Sequence, residues 1–410
     1  MTASASKRMA FVIEIARRLH QYGTSAPRLE EAIDRVSARL HLDCQSLSTP
    51  TSVLFSFTDR AAGEGGTLAE LTQVVRVSPG HDDLRNLGAV DEIADQVIEG
   101  QIDIDEGFRR LHAIRDQPSV ERATMETVAY GIAAASVAAI LNCAWVDLAA
   151  AFFIGTVVGV LVVASENRPR LRPGLEALSA LLATMIAMLV DVYVTPLTLN
   201  PVVLASLIVL MPGLTLTTAV RELSTQHLVS GTARLAGAVT TLMKLAFGTV
   251  MANQICLWLH LAPIALTRAP IPQWAQWLAL AAACYSFAIL FRAARRDIPL
   301  VMAAAALGYL ITYYGGREFT PQFGVFLAGL GIGALSNLYA RVSGRPGALV
   351  RTPGIILLVP GSIGFLTLSH IAERDVFLGI NSAITLAAIL ISLVAGLLFG
   401  DLFVSARRIL

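Results

Sequence analysis

The sequence predicts a polytopic α-helical membrane protein: ten transmembrane helices arranged as two inverted five-helix repeats, preceded by an N-terminal cytoplasmic α+β domain. Three observations lead there. Of 410 residues, 55% are hydrophobic and only 15% charged, and the mean hydropathy is +0.64, a composition of membrane-embedded chains rather than soluble enzymes. Composition changes sharply near residue 120, with frequent charges before it and long apolar runs after it. Finally, two apolar segments are each interrupted by a Pro-Gly pair. Ile208, Leu210, Pro212 and Gly213 match Ile356, Leu358, Pro360 and Gly361, 148 residues later. The expected units are 1–120, 121–265 and 266–410.

In the first unit, Phe11 to Leu19 reads as an amphipathic helix. Arg28 to Leu40 reads as a second, with Leu29, Ala32, Ile33, Val36 and Leu40 at helical spacing. Gly23 to Pro27 supplies a stop and a new start between them. Ser52 to Phe57 is rich in β-formers, Gly63-Glu64-Gly65-Gly66 reads as a hairpin turn, and Leu71 to Val77 partly alternates. Asp82 to Glu99 and Ile104 to Arg115 read as two further helices. The acidic residues here, Glu30, Glu31, Asp34, Asp91 and Glu92, fall on helix faces at solvated spacing. No GxSxG, P-loop or HExxH pattern occurs. His20, His41, His81 and His112 stand apart from one another. A docking or regulatory unit is expected, without a catalytic centre, metal or cofactor.

After residue 120, ten segments reach spanning length: 124–142, 147–165, 175–194, 200–220, 232–259, 273–291, 298–314, 321–340, 350–370 and 377–400. Arg168, Arg170, Arg172, Arg221, Arg234, Arg292, Arg295, Arg296, Arg341, Arg345, Arg351, Arg407 and Arg408 fall on one side of this arrangement. Arg268, Arg317 and Arg374 fall on the other. Such an excess marks the cytoplasmic side, so both termini are expected there, in an inner (plasma) membrane. An odd number of spans per half forces the second half to enter with opposite polarity, which makes any repeat an inverted one. Asp147 and Asp297 open the second and seventh segments in the same register. Gly155-xxx-Gly159 and Gly329-xxx-Gly333 permit close helix packing.

A Pro-Gly pair breaks the hydrogen-bond ladder, and irregular backbone at membrane depth persists only where protein or a cavity satisfies it. Paired breaks in two halves point to a transporter binding site; two plain kinks are the bland alternative. Pro212, Gly213, Pro360 and Gly361 are therefore the leading candidates for substrate binding. Thr215, Thr217, Thr218 and Ser362 follow the breaks, with hydroxyls able to meet a substrate or the freed carbonyls. Arg221 closes the fourth segment and suits either a substrate carboxylate or a positive-side anchor. Lys244 stands out among apolar neighbours. Counted from Thr232 it is roughly 18 Å along its segment, a depth at which an ionisable group suggests ion coupling or a structural pair. Asp191, expected near the outer face in contact with solvent, and Asn381 are further coupling candidates. Asn253 and Asn337 are weaker polar candidates.

Met211 to Leu223 (Met-Pro-Gly-Leu-Thr-Leu-Thr-Thr-Ala-Val-Arg-Glu-Leu), followed by Ser230-Gly231-Thr232-Ala233-Arg234, resembles the signature of the threonine/serine exporter family. Pro50 to Phe57 is loosely similar to that family's soluble leader. Leu358 to Gly364 resembles the smaller partner subunit that some members keep as a separate chain, here fused to the larger. The resemblance covers nearly the whole chain. It implies export of threonine and serine, driven by the proton motive force, by antiport. Separate-chain relatives imply dicarboxylates such as succinate as an alternative substrate class. A membrane scaffold or sensor is the reading from another class. The net charge of +1 offers nothing to nucleic acid. Cys44, Cys143, Cys256 and Cys284 are scattered, with no metal or disulfide framework. The partners expected are a small-molecule substrate, protons and the bilayer, and homo-oligomerisation is compatible with the sequence.

Overall fold

The computed structural model describes residues 4–59, 70–78, 80, 82–114, 119–264, 268–372 and 375–405. The turn expected at Gly63–Gly66, together with His81, Arg374, Arg407 and Arg408, lies outside the described residues.

The N-terminal elements are α1 (Ala5–Gln21), α2 (Ala26–Arg39), β1 (Leu42–Thr49), β2 (Ser52–Asp59), β3 (Glu70–Arg76), α3 (Leu84–Ile98) and α4 (Ile104–Ala113). α1 starts earlier than Phe11, because Met9 is buried along with Phe11, Val12 and Ile15. α2 starts at Ala26, with Pro27 in the first turn, where its missing N–H leaves nothing unpaired. Leu29, Ala32, Ile33 and Val36 are buried at the anticipated spacing. The strands form an antiparallel sheet in the order β1-β2-β3. β1 had no counterpart among the anticipated elements: Leu42-Asp43-Cys44-Gln45-Ser46-Leu47 is poor in β-formers, and pairing to β2 supplies the strand instead (Cys44 opposite Phe57). Phe55 and Phe57 point inward against Phe11, Ile15, Leu29 and Ile33. That core continues without interruption into Phe287, Phe291, Val301 and Leu349 of the helical bundle. Backbone bonds join the two parts as well, with Leu84 N donating to Phe291 O at 3.0 Å.

The bundle comprises α5 (Val120–Ile140), α6 (Trp145–Glu166), α7 (Leu175–Tyr193), α8 (Leu199–Leu207), α9 (Gly213–Ser224), α10 (Leu228–Trp258), α11 (Gln273–Leu290), α12 (Ile298–Glu318), α13 (Pro321–Ser343), α14 (Ala348–Ile356), α15 (Gly361–Ala372) and α16 (Val376–Phe403). Among the described residues, seven helices are long and apolar enough to cross a membrane. Two bent pairs bring this to nine: the chain turns by 58° between Leu199–Leu210 and α9, and by 41° between α14 and α15. α11 fills the place of the remaining anticipated span, but Gln273 and Gln276 dilute its first turns. α7 packs on α10 as α13 packs on α16.

Two buried carboxylates, Asp147 and Asp297, tie neighbouring segments together. Asp147, in the first turn of α6, accepts from the backbone N–H of Ala144 at 3.1 Å and of Thr198, ahead of α8, at 2.9 Å. Asp297, ahead of α12, takes both arms of Arg345, ahead of α14, at 2.6 and 2.7 Å. Small residues set the close approaches. Gly155 and Gly159 face Tyr130, Gly131 and Thr127 of α5, while Gly329 and Gly333 face Leu393, Gly396 and Gly400 of α16. A Cβ on Gly308 would overlap the carbonyl of Gly354, whereas one on Gly237 would meet nothing within 4 Å. Gly308→Val is therefore expected to destabilise the protein by at least the about 1–3 kcal/mol of an overpacked core. Gly237→Val should be close to neutral. Thermal unfolding of the detergent-solubilised variants checks the contrast.

Candidate functional site

The two Pro-Gly pairs meet. A Cβ on Gly361 would lie 3.1 Å from Met211 Cβ and 3.3 Å from Gly213 Cα, and one on Gly213 would overlap Val359 Cγ1. Pro212 caps α9, and α15 opens at Gly361 directly after Pro360. Two helix N-termini therefore converge at the crossing, each with free backbone N–H groups and a positive dipole end. The contact is too tight to hold a ligand between the glycines.

Space opens to one side of the crossing. Thr217 and Arg221 on α9 lie four and eight residues past Gly213, roughly 6 and 12 Å along the helix. They share a cavity of about 160 Å³ with Thr218, Asn337 and Arg351. From the N-terminal elements the cavity is lined by Thr24, Arg28, Asp82 and Asp91, among others. Thr217 Oγ1 donates to the carbonyl of Gly213 at 3.2 Å, the back-bond to the preceding turn that a helical threonine commonly makes. Thr218 lines the cavity as well, whereas Thr215 and Ser362 are half-buried outside its wall.

The cavity's charge is organised by Asp401, in the last turn of α16. It accepts from Arg221 Nη2 at 2.9 Å, from Arg351 Nη2 at 2.5 Å and from Asn337 Nδ2 at 2.8 Å. Arg351 is 5% exposed. Its Nε donates to Ser336 Oγ and its Nη2 to Asn337 Oδ1, each at 3.0 Å. One carboxylate thus answers two guanidinium groups, and Arg28 adds a third cation nearby. Burial, reinforced by Arg221, pushes the Arg28 guanidinium down to about 10. Burial pushes Asp82 up to about 6, against the pull of Arg234. Two buried polar atoms on the cavity wall, Arg221 Nε and Thr24 Oγ1, have no hydrogen-bond partner among the described residues.

Arg351 and Asp401 were missed as site residues. Each sits at the edge of an apolar segment, where a charge looks like an interfacial anchor. The signal available was the pairing of opposite charges at the starts and ends of segments that the fold brings side by side. Glu222 was also missed. It is fully buried and accepts from Ala26 N at 3.0 Å, Ser230 Oγ at 2.7 Å and Arg234 Nε at 3.0 Å. It therefore fixes the start of α2 to α9 and α10.

The other anticipated positions lie elsewhere. Asp191 is fully buried rather than solvated: its carboxylate accepts from Leu197 N at 2.7 Å and Ile264 N at 2.8 Å, closing two loops. Asn381 is exposed on the outer face of α16. Lys244 donates to Glu176 at 3.4 Å with 35% of its side chain exposed. Glu176 is in the first turn of α7, so Lys244 lies level with a helix end. α10 runs for 31 residues, longer than one crossing needs, so a count along it from Thr232 does not by itself fix the depth of Lys244. Among the described residues, no group of three His, Cys, Asp or Glu side chains is placed to hold a metal.

The family model for threonine/serine exporters matches residues 10–256, and a second threonine/serine exporter model, ThrE, matches residues 276–403. The chain belongs to the threonine/serine exporter family. The two matches reproduce the fused arrangement of a large and a small subunit. The chain is also similar to fungal proteins named pheromone-regulated membrane protein 10. It is 26% identical over 368 residues to that of Zygosaccharomyces rouxii, covering 88% of this chain and 37% of the relative. It is 26% identical over 392 residues to that of Saccharomyces cerevisiae, covering 93% and 50%, and 25% identical to that of Eremothecium gossypii, covering 93% and 52%. This exporter-family chain thus spans between a third and about half the length of those relatives. No solved structure matches it.

Asp401 is expected to hold this end of the bundle together. Asp401→Ala strands Arg221 and Arg351 in a buried site, and the loss should be about 3–5 kcal/mol. Chemical or thermal unfolding measures it; a variant as stable as the wild type would remove Asp401 from this role.

Proposed function

We propose that the chain is a secondary exporter of small hydroxy amino acids, threonine and serine, working by alternating access and driven by protons. The observation that carries this is the cavity beside the crossed breaks, with Arg221 and Arg351 on the wall that the bundle supplies. A cationic wall with hydroxyl and amide groups suits a carboxylate-bearing solute of a few heavy atoms. A volume of about 160 Å³ is roughly ten times what one water requires. Substrate bound there would complete the hydrogen bonding of Arg221 and Thr24.

In this reading the ten spans form two inverted repeats, with α11 as the sixth. α9 and α14 lie on the cavity side of the breaks, and α8 and α15 on the other. The sealed contact between Gly213 and Gly361 is the barrier, and motion of the halves about it moves the opening from one face to the other. The end that carries Arg168, Arg170, Arg292, Arg295 and Arg345 faces the cytoplasm, together with the N-terminal elements. Lys244 with Glu176 is a charge pair outside the cavity wall, and we assign ion coupling to it. Arg28, Arg221 and Arg351 on one cavity also suit dicarboxylates as a second substrate class.

Reconstituted into proteoliposomes under a proton gradient, the protein should carry threonine and serine in preference to succinate. Replacing Pro212-Gly213 by Ala-Ala restores an unbroken helix and adds a Cβ where Val359 stands. That variant should express and lose transport. Normal transport by it would overturn the role of the breaks. Lys244→Met should keep its fold and lose the dependence of uptake on the proton gradient; retained coupling would reduce the pair to a structural one.

A further inference from the structure

The cavity is not a property of the membrane helices alone. α2 and α3 supply Arg28 and Asp91 to its wall, and these two, with Asp82 ahead of α3, lack the partners that hold the other charges there. Glu222 is saturated by Ala26, Ser230 and Arg234, and Asp401 by Arg221, Arg351 and Asn337. Arg28 faces Asp91, Asp401 and Arg221, yet makes no hydrogen bond or ion pair to any described residue. Asp91 is 3% exposed and likewise makes neither. A half-buried cation and a buried anion that share a cavity without closing on each other are costly unless something bridges them.

A zwitterion is the bridge whose chemistry fits. Its carboxylate offers Arg28 two acceptor oxygens in the planar arrangement a guanidinium favours. Its ammonium offers Asp91 donors, and a side-chain hydroxyl can reach Thr24. We propose that Arg28 and Asp91 of the N-terminal elements recognise the carboxylate and ammonium of the transported amino acid. The N-terminal elements are then part of the substrate site, and Asp91 is what separates an amino acid from a plain acid. This rests on the exporter reading above and adds to it which groups select the substrate class.

Asp91 also lines an outer recess with Glu92, Asp95, Glu99, Arg296 and Arg345, so it stands in the wall between recess and cavity. Burial, with Asp95 next in weight, pushes its carboxyl well up from the usual carboxylate range, against the pull of Arg28 and Arg345. The groups facing it are Glu92 and Asp95 on α3, Arg28 on α2 and Arg345 ahead of α14, the last already forked onto Asp297. Only the ionised carboxylate pairs with an ammonium. A proton and the substrate ammonium therefore compete for Asp91, and amino acid binding must strengthen as pH rises and Asp91 ionises. An acid without an amino group has no such dependence on Asp91.

The test uses the full chain in proteoliposomes with two probes, L-threonine and 3-hydroxybutanoate, which lacks only the amino group. Wild type should prefer threonine. Asp91→Asn should lose about tenfold or more for threonine, as expected for an unpaired charged donor, and leave 3-hydroxybutanoate unchanged. The rise of threonine affinity with pH should vanish in the same variant. Arg28→Gln should weaken both probes and keep the preference. If Asp91→Asn retains the preference for threonine, or loses both probes alike, the assignment is overturned while the exporter reading stands. If wild type carries neither threonine nor serine, the exporter reading itself falls and takes this assignment with it.

Discussion

The crossing of two broken helices at Gly213 and Gly361 is the constraint on which the rest of the bundle depends. Backbones approach within van der Waals distance there, so neither position has room for a side chain. Each break supplies the N-terminus of a half-helix, and those half-helices carry Thr217 and Arg221 in one direction and Thr367 and His370 in the other. Arg351 is delivered to the same level by α14, whose own interruption follows at Pro360. Unbroken helices would pass one another without bringing Arg221, Arg351 and Asp401 to one point.

The charge cluster beyond the crossing is held at high electrostatic cost. Two guanidinium groups share one carboxylate, and such buried arrangements seldom raise stability over an apolar core. They do fix geometry: α9, α13, α14 and α16 each contribute one member of the network around Asp401. Glu222 repeats the device between α2, α9 and α10. The N-terminal elements are thereby held by a buried carboxylate and a shared apolar core, not by a flexible tether.

Periodicity made the helices legible. Spacing of Leu29, Ala32, Ile33 and Val36 gave the buried face of α2, and apolar length located the bundle helices to within a few residues. The matched Pro-Gly pairs were legible as breaks because few residues interrupt a helix so strongly. β1 was not, since its strand comes from pairing and not from propensity. The site was legible only in part. Thr217, Thr218, Arg221 and Asn337 could be named from their place beside the breaks or inside a span. Arg351, Asp401 and Glu222 could not, because their meaning lies in partners up to 196 residues away. Asp191 and Lys244 show the converse. A charge in an apolar run hides its partner in the sequence: loop N–H groups for Asp191 and Glu176 for Lys244.

α10 has 31 residues, about 46 Å at about 1.5 Å each, against a hydrocarbon core of about 30 Å. In its first two turns Ser230 and Arg234 grip Glu222, which in turn grips the first residue of α2. α10 is thus a lever with its fulcrum in the bundle and its load outside it. A tilt of a few degrees at the fulcrum becomes a displacement of ångströms where α2 is attached. Any rocking of the bundle that reshapes the cavity must carry the N-terminal elements with it, which makes a distance probe between α2 and the far end of α10 a direct gauge of such motion.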